Sequence, residues 1–166
     1  LPLARAMACL AQGTVPAAGG QIGREIAYML RRYRADEPSS WGIIDRQTRH
    51  LVGTIGYMDY SMDNASVEIG YSLARWLWNG GYMTEALARV IDYTFESMDI
   101  NRIEAQHELD NPASGRVMEK CGMRKEGVLR QRLYNKGKFV DVALYAILKS
   151  DPRKPVGVPS QTLQGN

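Results

Sequence analysis

Trp78-Asn79-Gly80-Gly81-Tyr82-Met83-Thr84-Glu85-Ala86 is the stretch on which the reading of this sequence turns. It leaves an apolar, strand-like segment, turns through two glycines and opens a run with helical periodicity. The first N–H groups of a helix have no partner inside it, and the helix dipole is positive there. Glycine lets a ligand approach the main chain where a Cβ would block it. The local chemistry is therefore an anion site suited to phosphate, or else a plain strand-to-helix turn. A P-loop is excluded because no Gly-Lys-Ser/Thr follows. The dinucleotide fingerprint is excluded because its third glycine is missing.

Downstream, Thr84–Met98 carries Ala86, Leu87, Val90, Ile91, Phe95 and Met98 at helical spacing. Upstream, Trp41–Asp45, Leu51–Asp59 and Ser66–Leu73 read as strands, joined by the polar loop Arg46–Arg49 and the turn Ser61–Asn64. Three such strands make an antiparallel meander. Arg102–Leu109 is again strand-like, and the strand–helix–strand step before it favours a parallel pair. Asn111 is placed to cap the next helix, with Pro112 at its first position and Gly122 as its stop. Val128–Leu133 and Phe139–Leu148 flank the turn Asn135-Lys136-Gly137-Lys138. At the other end, residues 1–12 are an apolar helix candidate, 13–20 a Gly-rich loop, and Gln21–Arg34 an amphipathic helix. The cations Arg31, Arg32 and Arg34 fall in its last turns. The order predicts one α+β domain with a mixed sheet over residues 1–150 and a mobile Pro- and Gly-rich tail over 151–166.

The 166 residues, 45% hydrophobic and 23% charged, suit a single globular domain. No apolar run is long enough to span a membrane. A net charge of +3 gives no argument for nucleic acid, the dense basic cluster being Arg31, Arg32 and Arg34. Cys9 and Cys121 form neither a metal-ligand pattern nor a disulfide framework, which suits a cytoplasmic protein. No secretory signal is visible. The first residue is Leu1, so either the terminus is processed or upstream residues are missing.

Five ordered motifs carry a resemblance. They are Gly70-Tyr71-Ser72-Leu73, Trp78 to Ala86, Asn101-Arg102-Ile103-Glu104-Ala105, Asn111-Pro112-Ala113-Ser114, and Glu119-Lys120-Cys121-Gly122-Met123. Together they resemble the GNAT acetyltransferases, in the RimJ/RimL-like branch that acetylates ribosomal-protein N-termini. The resemblance covers Trp41 to Leu148. It implies a mixed, mostly antiparallel sheet flanked by helices, with two central parallel strands, here Ser66–Leu73 and Arg102–Leu109, splayed to admit the donor. It also implies acetyl-CoA as co-substrate, no metal, and a primary amine as acceptor. The pyrophosphate would lie on the amides of Asn79, Gly80, Gly81, Tyr82, Met83 and Thr84, beside Trp78. Leu73 and Ala74 would offer main-chain groups to the acetyl carbonyl and pantetheine. Asn111 would contact the arm, Ser114 would approach its sulfur, and Arg116 and Lys120 would meet the ribose phosphate. The branch usually has Gly at position 79 and a small residue at 83. Dimers occur among relatives, but no interface is readable here. The favoured acceptor is a protein or peptide α-amine. A polyamine, an amino acid or an aminoglycoside is the enzyme alternative, and a non-catalytic acyl-CoA-binding module is the alternative outside catalysis.

Transfer to an amine needs a base, an oxyanion donor and a proton for the leaving thiolate. Glu68 interrupts the apolar Val67-Glu68-Ile69 near the expected splay and is the candidate base; the alternatives are a solvated face or an ion pair. Glu104 competes from the neighbouring strand, on a face shared with Gln106, Glu108 and Asp110 that reads as wet. His107 falls on the apolar face with Ile103, Ala105 and Leu109 and is read as a satisfied core residue. In the superfamily the thiol acid is often a Tyr on the short helix; that position here is Met118, which leaves Ser114. Cys121 is read as a small core residue. Tyr71, Trp76 and Trp78 either cover the donor, line the acceptor tunnel or pack in the core.

Overall fold

The computed structural model describes Arg31 and residues 40–153. The readings made above for residues 1–30, 32–39 and 154–166 lie outside them. Six strands form one sheet: β1 (Ser40–Ile44), β2 (Leu51–Ser61), β3 (Ser66–Leu73), β4 (Arg102–Glu108), β5 (Arg124–Asn135) and β6 (Lys138–Leu148). Their order across the sheet is β1-β2-β3-β4-β6-β5. Two helices, α1 (Tyr82–Ser97) and α2 (Pro112–Lys120), follow β3 and β4. Among the described residues only the β3–β4 pair is parallel, which is the crossover that the α1 connection requires. The α+β class and the mixed sheet are as the sequence predicts.

Alternation explains the core. Val67 and Ile69 on β3, Ile103 and Ala105 on β4, and Ala143, Tyr145 and Ile147 on β6 are all buried. Against them α1 sets Met83, Leu87, Val90, Ile91 and Phe95, the stripe expected of its spacing. Each such side chain, fully buried, stabilises the fold by about 1.5–3 kcal/mol. The one polar residue on that stripe, Thr94, is satisfied: its hydroxyl donates to the Val90 carbonyl at 2.7 Å and accepts from Tyr57 Oη at 2.7 Å. Burial pushes the Tyr57 phenol up to about 12.

β3 and β4 pair only at Ser66↔Arg102, Val67↔Ile103 and Glu68↔Glu104. Beyond that level β3 follows β2 as far as Leu73↔Gly53, and β4 follows β6 as far as Glu108↔Val142. The register of β2 shifts between Tyr57 and Asp59, opposite Ile69 and Glu68. A bulge bends a strand and increases its twist, and this one lies at the level where the two central strands part. The splay expected from the family is present.

Three sequence expectations need correction. β5 runs from Arg124 to Asn135, well beyond Val128–Leu133; two register shifts and the positive φ of Gln131 (51°) break the alternation by which strands are recognised. β4 stops at Glu108, and Leu109 is an exposed residue outside it. The residues from Asp151 to Arg153 are docked: Asp151 accepts the Leu148 N–H at 3.0 Å, and Arg153 pairs with Asp92 and lies over the Phe95 ring. Among the described residues no helix is long and apolar enough to cross a membrane.

Candidate active site

Two cavities open along the splay. The first, about 280 Å³, is walled by the end of β3 (Tyr71, Ser72, Leu73), by Leu77 to Thr84 except Gly80, and by the first turns of α2. The second, about 370 Å³, lies between Ile69, Gly70 and Tyr71 of β3, Gln106 to Glu108 of β4, and Leu133, Asn135 and Lys136 of the β5–β6 hairpin. Tyr71, Asn111 and Ser114 border both.

The first cavity ends on the N-terminus of α1. Gly81 caps it with φ 83°, and Asn79 precedes it at φ 63°. Both are left-handed, which Gly adopts freely and Asn tolerates. A Cβ at Gly81 would meet nothing within 4 Å, so the turn is an open cradle. The N–H groups of Tyr82, Met83 and Thr84 lie in the first helical turn, and Glu85 is the first residue whose N–H bonds back, to Gly81 at 3.0 Å. The cradle is narrower than expected, because the Gly80 N–H is held by the Leu77 carbonyl at 3.3 Å. Met83 sends its side chain into the core and is buried. Arg116 and Lys120 line the same cavity from α2. An anion at the cradle thus meets free N–H groups, a dipole and two cations, which fits a phosphorylated donor. Among the described residues no cluster of His, Cys, Asp or Glu is grouped to hold a metal.

At the end of β3, Ala74 gives its N–H to Val52 at 2.8 Å and is not on the cavity wall. Alternation then turns the main-chain groups of Leu73 and Tyr71 toward the splay. The Leu73 carbonyl is already occupied by Trp78 Nε1 at 2.9 Å, which leaves the Leu73 N–H as the group offered. Trp78 lines the cavity under the Arg75 guanidinium, whereas Trp76 is 81% exposed and touches neither wall.

Where the cavities meet, Asn111 stands at the cap position of α2 but makes no side-chain cap bond. Its Nδ2 instead donates to Ser114 Oγ at 3.1 Å, so capping does not account for the residue. The Tyr71 hydroxyl donates to the Ser114 carbonyl at 3.1 Å, and burial keeps it protonated far above the ordinary range. Met118 is fully buried. Cys121 is half-buried with its thiol toward the Thr84 carbonyl at 3.4 Å, and burial pushes it up to about 12; it is the core residue expected.

The carboxylates fall differently. Glu68 lines neither cavity; its Oε1 accepts from Gln106 Nε2 at 2.8 Å, and Gln106 is on the wall of the second. Burial raises the Glu68 carboxyl above its ordinary value, with the charges of Glu104 and Asp59 adding to it and the Gln106 bond opposing. Glu104 is held by Arg102, which also grips Glu126. Glu108 accepts from Asn135 Nδ2. The face read as wet is therefore a half-buried network. His107, read as core, is half-buried on the wall of the second cavity, with Nδ1 2.7 Å from the Glu108 carbonyl oxygen. The β5–β6 hairpin was not foreseen in the site. A signal for it exists in Leu133, an apolar residue two positions before the turn.

Residues 6–124 match the family model described as an acetyltransferase (GNAT) domain. The uncharacterized N-acetyltransferase YoaA of Bacillus subtilis is 38% identical over 70% of this chain and 66% of its own length. The B. subtilis protein named "Putative ribosomal N-acetyltransferase YdaF" is 33% identical over 61% of this chain and 55% of that protein. The spermidine N(1)-acetyltransferase of Vibrio cholerae is 21% identical over 76% and 73% of the two chains. The crystal structure of a GNAT-family acetyltransferase from Bacillus anthracis superposes with a TM-score of 0.62 and 33% identity, covering 68% of this chain and 67% of that one. The chain spans about two thirds of the length of the curated relatives it matches. With the matched domain, the splayed strands and the open cradle in agreement, the chain belongs to the GNAT acetyltransferase family.

Proposed function

We propose that this protein transfers the acetyl group of acetyl-CoA to the α-amine of a protein or peptide by direct attack in a ternary complex. The observation that carries the reading is the pair of cavities meeting at Tyr71, Asn111 and Ser114. The first fits the donor and the second the acceptor, so the reacting atoms would meet between the splayed strands. The donor supplies the activated acyl carbon and a thiolate leaving group. Gly81, Tyr82, Met83 and Thr84 bind its pyrophosphate through the main chain, with Arg116 and Lys120 alongside. The Leu73 N–H points where the acyl oxygen gains charge, which is the term that most lowers such a barrier. Asn111 orients Ser114 Oγ toward the sulfur, where Ser114 passes a proton to the leaving group. Glu68 acts through Gln106, holding its amide on the acceptor wall.

Glu108 and Asp110 favour a cationic acceptor, and Lys136 on the same wall disfavours a polycation. A single ammonium on a peptide therefore suits the cavity better than a polyamine, which is the alternative that the V. cholerae relative brings. Calorimetric titration of acetyl-CoA into the purified chain tests the donor half; micromolar one-to-one binding is expected, and no binding would move a partner-binding role to first place. An amine panel of N-terminal peptides, spermidine and free amino acids then tests the acceptor. Turnover with spermidine alone would overturn the peptide reading.

A further inference from the structure

His107 is tied by one nitrogen and unpartnered at the other. Its Nδ1 lies 2.7 Å from the Glu108 carbonyl oxygen. A carbonyl can only accept, so Nδ1 carries the hydrogen, and in the neutral ring Nε2 is left with its lone pair. Nε2 has no hydrogen-bond partner, and no fully buried side-chain nitrogen or oxygen among the described residues lacks one, so Nε2 is not fully buried. The ring lines the acceptor cavity with Asn111, Ser114 and Tyr71, the residues at which the two cavities meet. Helix α2 makes room for it: Gly115 sits in the helix interior, where a Cβ would stand 2.7 Å from Nε2.

We propose that His107 Nε2, and not the carboxylate of Glu68, is the base that takes the proton of the acceptor ammonium. The inference rests on the acetyl-transfer reading above. Glu68 is separated from the acceptor cavity by Gln106, whose amide does not relay a proton by simple transfer. The groups that face His107 are Glu108 and Asp110 at the end of its own strand, Tyr145 of β6 with ring centroids 5.6 Å away, Glu119 of α2 bound to the Tyr145 hydroxyl at 3.0 Å, Tyr71 of β3, and Lys136 of the hairpin.

The step balances. The ammonium gives one proton to Nε2, and the freed nitrogen lone pair forms the bond to the acyl carbon. The carbon–sulfur bond then breaks with its electron pair on sulfur. The second amine proton goes to that sulfur, through Ser114, and the imidazolium returns its proton to water through the open cavity.

The test begins with wild-type turnover across the amine panel. If no amine is acetylated, the acetyl-transfer reading falls and this one with it. If one is, His107→Asn decides, because its amide keeps a donor for the Glu108 carbonyl but offers no base. The expected result is unchanged acetyl-CoA affinity, a kcat/KM about 100-fold lower at neutral pH, and loss of the acid limb of the pH–rate profile. Wild-type rate and an intact limb would overturn the assignment and leave the transfer reading standing. In the unaltered protein, 15N spectra of the histidine ring should show Nδ1 protonated and Nε2 bare; the reverse tautomer would also overturn it.

Discussion

A Cβ on Gly115 would stand 2.7 Å from His107 Nε2 and 3.1 Å from the Tyr145 hydroxyl. Glycine in a helix interior is about 1 kcal/mol worse than alanine, so Gly115→Ala would stabilise α2 if only the helix counted. Here packing wins. The substitution should instead lower stability by about 1–3 kcal/mol, the usual range for overpacking. Thermal unfolding of Gly115→Ala, His107→Ala and the double variant should show strong coupling, with the double variant recovering much of the Gly115→Ala loss.

Gly81→Ala should cost about 1–2 kcal/mol of stability because φ is 83° there. Gly81→Glu should in addition abolish acetyl-CoA binding, since its side chain would enter the cradle with the wrong charge. Calorimetry separates the two effects. Gly81→Glu binding the donor normally would remove the cradle from the site.

Glu68 gives a prediction about pH. Its carboxyl is raised in the folded state, so the folded chain holds a proton that the unfolded chain has released. Stability then falls as pH rises from the ordinary carboxylate value through the raised one. Glu68→Gln lacks that loss. The variant should be more stable than wild type at neutral pH, and the gain should vanish in acid, where both side chains are neutral. Urea unfolding across that range checks it. Because Gln can still accept from Gln106, turnover should stay near wild type.

Ser114→Ala removes the acceptor of the Asn111 amide and the hydroxyl facing both cavities. Loss of one hydrogen bond, about 0.5–1.5 kcal/mol, corresponds to roughly a three- to tenfold slower transfer with donor affinity kept. Single-turnover rates measure it, and an unaltered rate would assign sulfur protonation to solvent.

Much of this architecture is legible in the residues themselves. Leu87, Val90, Ile91 and Phe95 announce α1 by spacing, and Val67 and Ile69 announce β3 by alternation. Gly81 before a helical run announces the cradle. What the sequence hides depends on register. Alternation puts His107 on the apolar face, but it does not reveal that the sheet parts there and leaves the ring on a cavity wall. Glu68 reads as a base in the sequence, which does not reveal that its carboxylate accepts from Gln106, the residue on the wall of the second cavity. Asn111 satisfies the rule for a helix cap while its side chain bonds to Ser114 instead. The sequence clue to His107 was Gly115, a helix-weakening residue eight positions later with no turn to explain it.

Among the described residues three residue pairs join β3 to β4, so the sheet is close to being two half-sheets, β1-β2-β3 and β4-β6-β5, stitched at one end. Main-chain groups of Tyr71 and Leu73 have lost their ladder partner, and a bound pantetheine arm would replace it as a surrogate strand. The consequence is mechanical as well as chemical. An empty chain should open along this seam in native-state hydrogen exchange before either half-sheet melts, and donor binding should fuse the halves into one cooperative unit.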